Sequence, residues 1–68
     1  MNKKLFVNYV KKQNKIDEDI LQHTRNFICA MKNKSLKEME SEILEIEKLY
    51  IDAIGTNDEL INILEKNL

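Results

Sequence analysis

The stretch SLKEMESEILEIEKLYIDAIG, residues 35–55, carries the clearest periodicity in the chain. Its apolar residues fall at Leu36, Met39, Ile43, Ile46, Tyr50 and Ala53, in alternating steps of three and four. That spacing keeps one stripe of a helix facing a neighbour laid lengthwise against it. Ser35 followed by Glu38 has the form of a capping box, in which hydroxyl and carboxylate each take the other residue's free N–H. Gly55 suits the position just past a helix end, where a left-handed backbone is common. The stretch therefore predicts a helix over 35–54.

Downstream, Thr56 and Glu59 repeat the capping-box pattern, and Leu60, Ile61, Leu64 and Leu68 recur at helical spacing. A short C-terminal helix over 57–67, after a bend at Gly55-Thr56, is the expectation. Upstream, Lys32-Asn33-Lys34 is a short polar loop, and short loops join antiparallel helices. Before it, Phe6, Tyr9, Ile16, Ile20, Phe27 and Ala30 fit one seam, with Gln13 and His23 at core-type positions. One helix over 3–32 would satisfy this pattern, as would a break near Gln13-Asn14. Asp17, Glu18 and Asp19 favour the break slightly, because acids complement a helix N-terminus. The predicted fold is all-α: a single domain, 1–68, built on an antiparallel helical hairpin (about 15–32 and 35–54). A basic N-terminal helix and a short C-terminal helix pack on it, giving a small three- to four-helix bundle.

A chain of 68 residues with no proline and one glycine suits such a fold, but its core is thin. A core of this size rarely supplies more than ~3–5 kcal/mol. The usual staples are missing: Cys29 has no second cysteine to pair with, and Cys29 and His23 do not make a four-ligand zinc site. Self-association or a partner protein is the remaining source of stability. Apolar lines beyond one seam point the same way. Leu21 and Ile28 lie seven apart on the first arm, Leu44 and Ile51 on the second, and Met31 and Met39 bracket the turn. A wide apolar stripe wants a further layer, and methionine adapts to irregular partners. These six are the expected interaction residues, and a homo-oligomer is the expected state.

Charge is segregated along the chain. Residues 1–15 hold Lys3, Lys4, Lys11, Lys12 and Lys15 and no acid, whereas residues 35–68 hold nine acids and three lysines. The net charge of −1 conceals this polarity. The five lysines, interleaved with Phe6 and Tyr9, are the candidate phosphate contacts of an alternative reading, a small nucleic-acid-binding regulator. Nucleic acid is the less favoured partner, since Arg25 is the one arginine and base readout leans on arginine.

Catalytic signatures are missing. His23 and Cys29, six apart, point about 120° away from each other on a helix, which disfavours a dyad. The residue three before His23 is Ile20, where a di-metal bundle requires glutamate. There is no glycine-rich phosphate loop and no Cys-x-x-Cys. No enzyme activity, cofactor or metal is expected. No run approaches the ~18–20 apolar residues of a membrane span, so no membrane partner is expected. A lone cysteine fits a reducing compartment, so the expected location is cytoplasmic. The abundance of Lys, Asn, Ile and Glu suggests AT-rich coding, as in many bacteria and phages. In size and periodicity the chain resembles the small helical co-chaperones of type III secretion, enterobacterial connector proteins and plasmid copy-number hairpins. It shares no residue motif with any of them. The favoured function is a non-enzymatic protein-binding module: a bacterial or phage regulator, inhibitor or chaperone-like protein.

Overall fold

The structure, a computed structural model, describes residues 3–67. They form two helices, α1 (Lys3–Lys32) and α2 (Leu36–Lys66), folded back on each other as an antiparallel hairpin. The result is a rod of 50 × 15 × 12 Å. Its length is that of its helices, since thirty residues at 1.5 Å each span about 45 Å. The basic N-terminal helix and the short C-terminal helix expected as separate elements are instead the outer ends of α1 and α2. The arms of the hairpin are correspondingly longer than 15–32 and 35–54, and two helices alone do not form a three- to four-helix bundle.

Two local features explain the continuity of α1. The three–four spacing runs unbroken from Phe6 through Tyr9, Gln13 and Ile16, so a break would put one half of the stripe out of phase with its neighbour. Side chains also bridge the suspected break one turn apart: Gln13 Nε2 donates to Asp17 Oδ1 at 3.1 Å, and Lys15 Nζ to Asp19 Oδ1 at 3.0 Å. The acids that resemble an N-terminal cluster act as partners for the preceding turn.

In α2, Gly55 lies in the helix interior and has no positive φ. Burial on both sides of it carries the helix through: Ala53, Thr56, Leu60 and Ile63 continue the stripe in phase. Thr56 does not cap a new helix. Its hydroxyl donates to the Asp52 carbonyl at 3.0 Å, one turn back, and the residue is 2% exposed.

The turn is built without glycine or proline. Ser35 N–H donates to the Ala30 carbonyl and Lys34 N–H to the Met31 carbonyl, the paired bonds of a Schellman motif. Lys34 takes its left-handed position, at φ 56°. Ser35 then caps α2, its hydroxyl accepting from Glu38 N–H at 3.3 Å. Only this half of the capping box forms, because the Ser35 N–H already serves the end of α1.

The seam follows heptad lines. In α1 the a line is Phe6, Gln13, Ile20 and Phe27, and the d line is Tyr9, Ile16, His23 and Ala30. In α2 the a line is Met39, Ile46, Ala53 and Leu60, and the d line is Glu42, Leu49, Thr56 and Ile63. All of these are buried or half-buried. Met39, Ile46 and Ala53 are where the periodicity put them. Leu36, Ile43 and Tyr50, assigned to the same seam, face solvent. The d line that replaces theirs holds Glu42, which meets His23 across the seam, and the small Thr56, and it ends in Ile63. Among the described residues the buried ones are Ile16 and the small Ala30, Ala53 and Thr56, and small side chains let two helix backbones approach closely.

Candidate interaction surface

Each residue turns a helix by 100°, so beyond the a line come first the e line and then the b line. On the other flank, beyond the d line, come g and then c. In an antiparallel pair the two e flanks share one side of the hairpin and the two g flanks share the other. Two surface hollows show this arrangement. One is lined by Met31, Lys34, Leu36 and Met39, joining the e lines across the turn. The other brings Tyr9 and Lys12 of α1 beside Asp52 and Glu59 of α2 on the g side.

The two sides differ sharply in chemistry. The g lines read Leu5, Lys12, Asp19, Asn26 in α1 and Glu38, Glu45, Asp52, Glu59 in α2. The e side is apolar over most of its length. From α2 it shows Leu36, Ile43, Tyr50 and Leu64 on the e line and Ile54 and Ile61 on the b line. Leu36 is 79% exposed, Ile54 61% and Tyr50 55%. From α1 it shows Val7, Leu21 and Ile28 on the b line and Met31 on the e line. Polar residues interrupt it at Lys3, Asn14, Asp17, Thr24, Glu40, Glu47 and Asn57.

The expected interaction residues divide. Leu21, Ile28 and Met31 lie on this face, exposed. Leu44 and Ile51, also exposed, lie on the f line at its outer edge; a shallow hollow joins them to Ser41, Glu45, Glu47 and Lys48. Met39 is half-buried in the seam and belongs to the core more than to the face. The residues that periodicity missed as surface are Leu36, Ile43 and Tyr50, because they satisfied the seam pattern equally well. Ile61 and Leu64 were read only as part of the helical spacing of a separate C-terminal helix.

The candidate phosphate contacts Lys3, Lys4, Lys11, Lys12 and Lys15 are all exposed on α1. Four of them, Lys4, Lys11, Lys12 and Lys15, lie on adjacent outer lines of α1, and two of them lie beside acids of the same chain. Lys12 shares its hollow with Asp52 and Glu59, and Lys15 is bonded to Asp19. The hydrogen bond to Asp19, and then the charges of Asp19 and Glu18, hold the Lys15 ammonium above its ordinary value of 10.5.

His23 finds a partner across the seam. Its Nδ1 lies 2.5 Å from Glu42 Oε2, a short bond between two half-buried side chains nineteen residues apart. Both occupy d positions, so the pair links the helices at one height. Cys29, exposed on the c line of α1, is not part of it. Gln13 is less well served: its Oε1 is buried with no hydrogen-bond partner. Among the described residues no three His, Cys, Asp or Glu side chains are grouped to hold a metal ion, and no helix is long and apolar enough to cross a membrane. The sequence matches no protein-family model, and no curated protein or solved structure matches it.

Proposed function

We propose that this chain is a non-enzymatic protein–protein interaction module, of the regulator, inhibitor or co-chaperone kind, that works by presenting one side of a helical hairpin. The observation that carries this reading is the uncovered e side. Ten large apolar residues from both helices share one side of the rod, while the g side is charged. Scattered apolar residues on a surface need no explanation, but contiguous patches beyond ~300–600 Å² mark interaction sites. The total exposed surface supports the same reading. It is 5474 Å², against ~4,500 Å² for a compact folded chain of this mass.

The occupant is a protein surface that offers apolar side chains at helical spacing, either another protein or the chain itself. Association of two hairpins would supply the four-helix bundle that one chain does not make. A photo-reactive amino acid placed in turn at Ile43, on the e side, and at Glu45, on the g side, tests the reading in cells. Adducts specific to position 43 are expected. Equal labelling at both positions, or none at either, would refute it.

A further inference from the structure

Resting on that reading, we propose that the occupant of the apolar side is a second copy of this chain, laid antiparallel so that each hairpin turn covers the open end of the other. Two independent features support it.

The first is area. The surplus of exposed surface over a compact chain is on the order of 1,000 Å². A standard interface buries about 800 Å² per partner. One further hairpin face is therefore enough to remove the surplus, and the matching face is the chain's own.

The second is charge, which selects the orientation. Residues 16–51, the turn half of the rod, hold eight acids and five bases. Residues 3–15 and 52–67, the open half, hold six bases and four acids. Complementary potentials set orientation as well as rate of association. Laying the two rods antiparallel puts each acidic turn half on a basic open half. It also staggers Glu40 and Glu47, the acids that interrupt the apolar side of α2, from their own copies along the rod. Laying the rods parallel would put Glu40 and Glu47 level with their own copies.

The native Cys29 makes the orientation measurable, because it is exposed on the polar side near the turn, away from the proposed contact. It lies about 17 Å along the rod from the middle of α1, at 1.5 Å per residue. In the antiparallel dimer two nitroxide labels on Cys29 are then at least about 35 Å apart. In a parallel dimer only the diagonal of the bundle separates them, about 20–30 Å, with no offset along the rod.

The experiment combines sedimentation equilibrium at micromolar concentrations with pulsed dipolar distances on the spin-labelled full chain. A mass of two chains with a long distance is expected. Ile43→Glu should weaken the dimer at least 100-fold, whereas Glu45→Gln on the polar side should leave it unchanged. Should Ile43→Glu unfold, the wild-type mass and distance still decide. A short distance overturns the orientation. A monomer, or a mass other than two chains, overturns the second copy as occupant. If adducts to a different protein still form specifically at position 43, the proposed interaction function survives that failure.

Discussion

Replacing Gly55 by alanine tests the continuity of α2, on which the apolar side depends. Two conformations of this residue predict opposite signs. At a helix end with a left-handed backbone, alanine would be strained and would destabilise the protein by about 1 kcal/mol. In the helix interior alanine is better than glycine by ~0.8–1.0 kcal/mol, largely because it restricts the unfolded chain. The structure supports the second case. Gly55 has no positive φ, it sits within α2, and a Cβ built on it meets nothing within 4 Å. No steric term offsets the gain. Gly55 also lies on the c line with Ser41, Lys48 and Asn62, so association through the e side does not alter the sign. Gly55→Ala is expected to stabilise by about 0.8 kcal/mol, raising Tm by roughly 3–6 °C for a domain of this size. Urea unfolding followed by circular dichroism at one fixed protein concentration measures it, with an unchanged m-value as the check that the unfolded state is comparable. A loss of stability would refute the continuous helix and restore the bend at Gly55-Thr56.

Other perturbations follow from single contacts. Lys34→Gly should stabilise by about 0.5–1 kcal/mol, since Lys34 holds a left-handed backbone that costs a side-chain-bearing residue ~1–2 kcal/mol; an unchanged urea midpoint would contradict the Schellman turn. Gln13→Leu should stabilise by about 1–2 kcal/mol, by removing a buried carbonyl oxygen that has no donor; destabilisation would show that the oxygen is satisfied. At the cross-seam pair, Glu42→Ala and His23→Ala should each destabilise, and the double variant should cost less than their sum, with a coupling of about 0.5–3 kcal/mol. Additive losses would mean that the contact does not hold in solution. Because Asp19 raises the Lys15 value, this pair contributes to stability below about pH 10.5, and its contribution is lost as pH rises through the raised value. Asp19→Asn should lower the Lys15 titration midpoint read by NMR, and an unmoved midpoint would show that the pair does not form.

The helical class, the turn and the antiparallel pairing were legible because they rest on local signals: the three–four spacing, Ser35 before Glu38, and a three-residue polar loop. The helix count was not. Gly55-Thr56-Asn57-Asp58-Glu59 has every local mark of a stop and a restart, yet the seam continues in phase across it. Burial of Leu60 and Ile63 on the same stripe outweighs one glycine's propensity. The choice of seam was half legible. Both flanks of the Met39–Ile46–Ala53 line are rich in apolar residues, and apolarity alone prefers Leu36, Ile43 and Tyr50. What tips the helix the other way includes a polar contact, Glu42 with His23, that no periodicity count can score. His23 was visible as a histidine at a core position, but its partner lay nineteen residues away on the other arm. The candidate site inherits that error. Leu36, Ile43 and Tyr50 were counted as core, while Leu21, Ile28, Leu44 and Ile51 were read as surface because they lie beyond any single seam, and Met31 because it brackets the turn; all five are exposed.

The turn without glycine or proline has a consequence for how the rod opens. It is the one place where the arms are covalently joined, so each layer of the seam further from it closes a longer loop than the last. The layers near the turn hold the buried Ala30 and the His23–Glu42 bond, whereas those toward the open end hold the unpartnered Gln13 oxygen and flank the helical glycine. The molecule is thus a zipper fastened at one end, with buried teeth, Ala53 and Thr56, in its open half as well. Local opening should run inward from Phe6 and Ile63 toward Phe27 and Met39, and amide protection should fall steadily with distance from Ser35. A partner that grips the open end would then lock the whole seam, and one that grips the turn would leave the far half free to part.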